Sequence, residues 1–98
     1  MSYITSLYLI TTENGGRKNP IFSGYRPNFT FDSEKYYSIV VSLLDKEVLY
    51  PGEGCKAKID FISASFKIDE FEKKLNSKDI FYITEGTKKI GHCTIENI

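Results

Sequence analysis

Apolar residues recur at every second position in several short runs, and a turn signal closes each run. Phe29 and Phe31 fall on one face, with Asn28, Thr30 and Asp32 on the other. Ile39, Val41 and Leu43 repeat the pattern, with Ser38 and Ser42 opposite. Cys55, Ala57, Ile59 and Phe61 then alternate with Lys56, Lys58 and Asp60, and Phe81 and Ile83 follow in the same rhythm. A period of two residues is that of a strand with one face in a core, because successive side chains leave a strand on opposite sides. Tyr3 to Thr12 adds a strand rich in β-branched and aromatic residues, and Ile90 to Ile98 adds another. Between the runs stand Glu13-Asn14-Gly15-Gly16, Tyr50-Pro51-Gly52-Glu53-Gly54 and Glu85-Gly86, residues that accept the backbone angles of turns. Six short strands without a strand–helix–strand rhythm predict an all-β, antiparallel barrel or sandwich.

Two places break the rhythm. Ile90 has the opposite parity to Cys93 and Ile95, which predicts a β-bulge near Gly91-His92 that switches the face. Ile68, Phe71 and Leu75 recur at helical spacing, so a short inserted helix is predicted over 69–75, capped by Asp69 and ended by Asn76. A helix of that length holds only if it packs on the barrel.

Ninety-eight residues suffice for a single domain over 1–98 with one core. Thirteen basic residues balance thirteen acidic ones, so the whole-molecule field is weak and general attraction to nucleic acid or anionic membrane is not expected. Met1 to Ser6 lacks the charged and apolar regions of a signal peptide, and no apolar run reaches bilayer length. The expectation is a cytoplasmic protein with no membrane partner. Cys55 and Cys93 fit no metal spacing and are expected as reduced thiols packed in the core.

No side-chain pattern points to catalysis. His92-Cys93 invites a nucleophile reading, but adjacent strand residues face opposite ways and no third group orients the histidine. Asp45/Glu47 and Asp69/Glu70 read as exposed charge near turns, not as an acid–base pair. No GxxxxGK[ST] phosphate loop is present, so GTP binding is not expected. The chain is read as non-enzymatic, with no catalytic residue, metal or cofactor.

The densest motif runs from Gly15-Gly16-Arg17 through Pro20-Ile21-Phe22 and Gly24-Tyr25-Arg26-Pro27 to Phe29-Thr30-Phe31. With Leu7-Tyr8-Leu9-Ile10 before it, it resembles the start of the C-terminal β-barrel of elongation factor Tu. The resemblance continues through Tyr50-Pro51-Gly52-Glu53, resumes at Phe81-Tyr82-Ile83-Thr84-Glu85-Gly86 and ends at Lys89-Ile90-Gly91, in order over nearly the whole chain. It implies a closed six-stranded antiparallel barrel, here a third domain standing alone. Departures are the inserted segment around 69–75, Glu85-Gly86-Thr87-Lys88 in place of Glu-Gly-Gly-Arg, and Gly91-His92-Cys93 in place of Gly-Ala-Gly.

The resemblance also implies candidate binding residues. Arg26 matches an arginine associated with the tRNA backbone, and Glu85 and Gly86 match a loop near the T-stem. Arg17 and Tyr25 match the motif at the interdomain surface. Lys88 and Lys89, with Lys56, Lys58 and Lys73-Lys74, extend a basic surface or simply form solvated edges. Arginine and glycine suit phosphate and close backbone approach, but Gly24 to Pro27 equally reads as a loop-shaping element with Arg26 paired to a local carboxylate. The functional expectation is a protein-interaction module or mimic linked to the translation machinery, its protein partner unidentified. A weak binder of tRNA or another structured RNA is the alternative, and a remnant or split piece of a translation GTPase is a third reading.

Overall fold

The computed structural model describes residues 2–30, 35–62 and 80–96. Among these described residues there are eight strands: β1 (Ser2–Leu9), β2 (Ile21–Phe22), β3 (Asn28–Thr30), β4 (Tyr36–Leu43), β5 (Val48–Leu49), β6 (Gly54–Phe61), β7 (Phe81–Glu85) and β8 (Lys88–Ile95). Six of them close into an antiparallel barrel in the order β1-β6-β4-β3-β7-β8, with β8 returning to β1. The helix predicted over 69–75, with Phe71, lies outside the described residues, as does Phe31. Among the described residues no helix is long and apolar enough to cross a membrane.

The alternation read from the sequence is the alternation that fills the barrel. Tyr3, Leu7 and Leu9 of β1, Ile39 and Val41 of β4, Ala57 and Ile59 of β6, and Phe81 and Ile83 of β7 are all buried. Phe29 sits fully enclosed, its ring 5.1 Å from that of Phe61 and 5.3 Å from that of Phe81. Thr5, also buried, spends its hydroxyl on the Ala57 carbonyl at 2.9 Å, so its polar atom is satisfied inside the wall. Thr30 departs from the pattern and is buried instead of facing water.

The bulge forms at Ile90. Ile83 pairs with Gly91 while Thr84 pairs with Lys89, which leaves Ile90 as the extra residue of β8. Ile90 and Gly91 are both buried, so the parity switch expected there is real and lies one residue earlier.

Two features go beyond the six predicted strands. β2 and β5 pair with each other, Ile21 opposite Leu49 and Phe22 opposite Val48, as a separate two-stranded sheet. Both Ile21 and Leu49 are buried and join the same hydrophobic cluster as the barrel residues, so this small sheet extends the core. Second, β1 stops at Leu9 and the chain enters a 3-10 turn over Thr12–Asn14, capped by Thr11, whose side chain accepts from the Asn14 amide. Thr11, read as strand, is the capping residue, because a hydroxyl competes for backbone donors at a turn, and Thr12 is the first residue of that turn.

Candidate functional site

The Gly15 to Phe29 motif is a loop held to the barrel along its length. Gly16 is buried where a Cβ would stand 1.9 Å from the Ile10 carbonyl oxygen, so only glycine fits there. The Thr12 hydroxyl donates to the Arg17 carbonyl at 2.5 Å, and Arg17 Nε donates to the Asn19 carbonyl at 3.2 Å. Further on, the Gly24 amide donates to the Val41 carbonyl at 2.9 Å and the Val41 amide to the Tyr25 carbonyl at 2.8 Å. The backbone of Tyr25 is thereby fixed against β4, which aims its ring at the end of the β7–β8 hairpin.

Three candidate residues meet there. The Tyr25 hydroxyl donates to Glu85 Oε2 at 2.5 Å, and Arg17 Nη1 forms an ion pair with the same oxygen. The Arg17 guanidinium also lies over the Tyr25 ring, 4.8 Å from its centroid. Burial pushes the Tyr25 hydroxyl far up from its ordinary range, and its hydrogen bond to the Glu85 carboxylate pushes the same way. Tyr25 is therefore a fixed proton donor to Glu85, not a group that exchanges protons near neutrality. Arg17, not Arg26, is the arginine that pairs with a carboxylate here, and the local carboxylate expected beside Arg26 is not found among the described residues.

The remaining candidates spread outward from this cluster. Gly86 forms the hairpin turn with φ of 61°, and a Cβ there would meet nothing within 4 Å. The Thr84 hydroxyl donates to its carbonyl at 2.9 Å. Lys88 stands opposite Glu85 in the hairpin register. Arg26 is exposed and forms no ion pair with another described residue. Lys89 is separate, its ammonium 4.0 Å from the centroid of the Tyr82 ring on the outer wall.

The cysteines and His92 occupy structural positions. Cys55 on β6 and Cys93 on β8 both pair with Leu7, so two strand spacings, about 9–10 Å, separate their backbones. That exceeds the reach of a disulfide, about 7 Å between Cα atoms, and both thiols are free. Burial pushes the Cys93 thiol up to about 12, and burial followed by the Asp45 charge raises Cys55. His92 stacks on Tyr8 outside the wall at 5.1 Å while Cys93 is buried inside it, so the two do not cooperate. Among the described residues no cluster of histidine, cysteine or carboxylate could hold a metal ion.

Sequence reasoning missed an open groove of about 670 Å³ beside the two-stranded sheet. Phe22 and Leu44, 57% and 51% exposed, line it, with Asp45, Lys46 and Glu47 at its edge. Large apolar side chains over a charged rim are the anatomy of a protein interface. The signal was available in two doublets: Ile21-Phe22 and Leu43-Leu44 each send one residue inward and its neighbour out. A search of known protein families finds none that matches the chain.

Proposed function

We propose that this chain is a non-catalytic binding module, built like the third barrel of elongation factor Tu, that engages a protein of the translation machinery. The groove of Phe22 and Leu44 carries this reading, because two large apolar side chains stand in water beside charged residues that suit a polar rim. The link to translation rests on the ordered motif match from Leu7 to Gly91. The zero net charge favours a protein over a nucleic acid as the main partner. Arg17, Tyr25 and Glu85 serve here as the brace that holds the entry loop in shape, with Arg26 beside them facing solvent.

The first partner to test is the nucleotide domain of elongation factor Tu freed of its own barrels, titrated by calorimetry. Saturable binding that Phe22→Asp or Leu44→Asp weakens by about tenfold or more is the expected result. Binding that ignores both substitutions, or no heat at all, contradicts the reading.

A second reading has its own observation. Arg26, Lys88 and the open Gly86 turn are all exposed, and arginine suits phosphate while an open glycine admits a backbone. If the chain serves tRNA, filter retention at low salt falls when Arg26 becomes alanine and falls steeply as salt is raised.

A further inference from the structure

Asn14-Gly15 is the only asparagine–glycine pair in the chain. It closes the 3-10 turn that leads into the entry loop, and both residues are exposed. An asparagine in this position can react with its own backbone, the following amide nitrogen attacking the side-chain carbonyl carbon. A side chain on the following residue crowds that attack, and glycine has none. The space around Gly15 is open as well, since a Cβ there would meet nothing within 4 Å.

The other described asparagines lack this combination. Asn19 precedes Pro20, whose nitrogen carries no hydrogen to lose. Asn28 lies in β3 before Phe29, which is fully buried and packed on the rings of Phe61 and Phe81. The Asn14 carboxamide, by contrast, makes no hydrogen bond among the described residues. A single bond restrains the attacking nitrogen. The Gly15 amide donates to the Thr12 carbonyl at 3.2 Å, against 3.0 Å for Asn14 to Thr11 and 2.8 Å for Gly16 to Thr11. An exposed turn held this way opens locally far more often than the barrel unfolds, and each opening frees both reacting groups.

We propose that Asn14 deamidates without an enzyme and that the change releases the entry loop from the barrel. The Gly15 nitrogen bonds to Asn14 Cγ, and its proton leaves with the side-chain nitrogen as ammonia, so a succinimide ring remains. Water then opens the ring at either carbonyl, giving aspartate or isoaspartate. Either product adds one negative charge to a chain whose charges otherwise balance. Isoaspartate also routes the backbone through Cβ, which makes it one atom longer. The turn has no room for that atom. Gly16 lies so close to Ile10 that a Cβ would stand 1.9 Å from the carbonyl oxygen, and its amide is fixed to Thr11. The displacement passes to Arg17, whose carbonyl accepts from Thr12 and whose guanidinium pairs with Glu85. The proposal goes beyond the reading of the Phe22 groove and does not depend on it.

The test is to hold the full chain at neutral pH and body temperature for weeks and follow it by tryptic mass spectrometry. The peptide ending at Arg17 contains Asn14 and no other asparagine. It should gain about 1 Da on modification, well ahead of the peptide that carries Asn19 and Asn28, with isoaspartate among the products. In the isoaspartate form, separated by ion exchange and read by NMR, amide hydrogen exchange at Gly16 should be about tenfold faster or more than in the fresh chain. Asn14→Gln, whose longer side chain closes a ring far more slowly, should show no mass gain and keep the fresh exchange rate. No gain at Asn14, a gain no faster than at Asn19 and Asn28, or aspartate without isoaspartate would each overturn the proposal. So would unchanged exchange at Gly16 in the isoaspartate form, or an equal mass gain in Asn14→Gln.

Discussion

One carboxylate oxygen of Glu85 holds both the Tyr25 hydroxyl and the Arg17 guanidinium, and through them joins the entry loop to the β7–β8 hairpin. Tyr25→Phe removes one hydrogen bond from this brace and should lower stability by about 1 kcal/mol in urea unfolding. The ion pair is partly exposed, with side chains 21% and 39% accessible, so it contributes no more than about 1 kcal/mol on its own. Both Tyr25 and Cys93 hold their protons more tightly folded than unfolded. The unfolded chain therefore loses protons first as pH rises, and stability falls where it does so. The contribution is complete below about pH 9, then declines toward about pH 12 for Cys93, with Tyr25 adding to the decline above about pH 10. Unfolding free energies measured from pH 7 to 11 should be level at first and then fall, by roughly 1 kcal/mol per pH unit for the buried Cys93 and by less for Tyr25, which water partly screens. Cys93→Ala should shrink the decline that begins near pH 9, leaving there only the part from Cys55, which is also raised, and the part from Tyr25 above about pH 10.

At the scale of elements, glycines decide where the chain can turn and where it can pass close to itself. Gly16→Ala places a Cβ on the Ile10 carbonyl and forces backbone to move, so a loss of about 2 kcal/mol or more is expected from thermal unfolding. Gly86→Asn is the contrasting case: its φ of 61° suits asparagine and the space around it is open, so the change should cost less than about 1 kcal/mol. Much of this level was legible in the sequence. The barrel strands announced themselves because one face of each is buried, and the bulge announced itself because Ile90 breaks parity with Cys93. The β2–β5 pair did not, because two residues are too few to show a period, and their pairing is fixed by contacts distant in the chain. The brace was half legible. Arg17, Tyr25 and Glu85 stood out as candidates, but which arginine takes the carboxylate depends on how the loop lies on β4, not on local spacing.

Taken whole, the molecule is a closed wall around an aromatic centre. Phe29 is at that centre, and Phe29→Ala should destabilise by about 3–5 kcal/mol, a large share of the about 5–15 kcal/mol that holds a domain folded. Closure leaves the six barrel strands no free edge for pairing, so recognition by the barrel itself uses side chains on its outer wall and at its loops. That is where Phe22 and Leu44 stand exposed. The most direct measurement is affinity capture from cell extract, using the wild-type chain and Phe22→Asp in parallel, with and without RNase, quantified by mass spectrometry. A protein of the translation machinery retained by the wild type, lost with Phe22→Asp and indifferent to RNase is the predicted result. Retention that is equal in the two, or that vanishes with RNase, would contradict it.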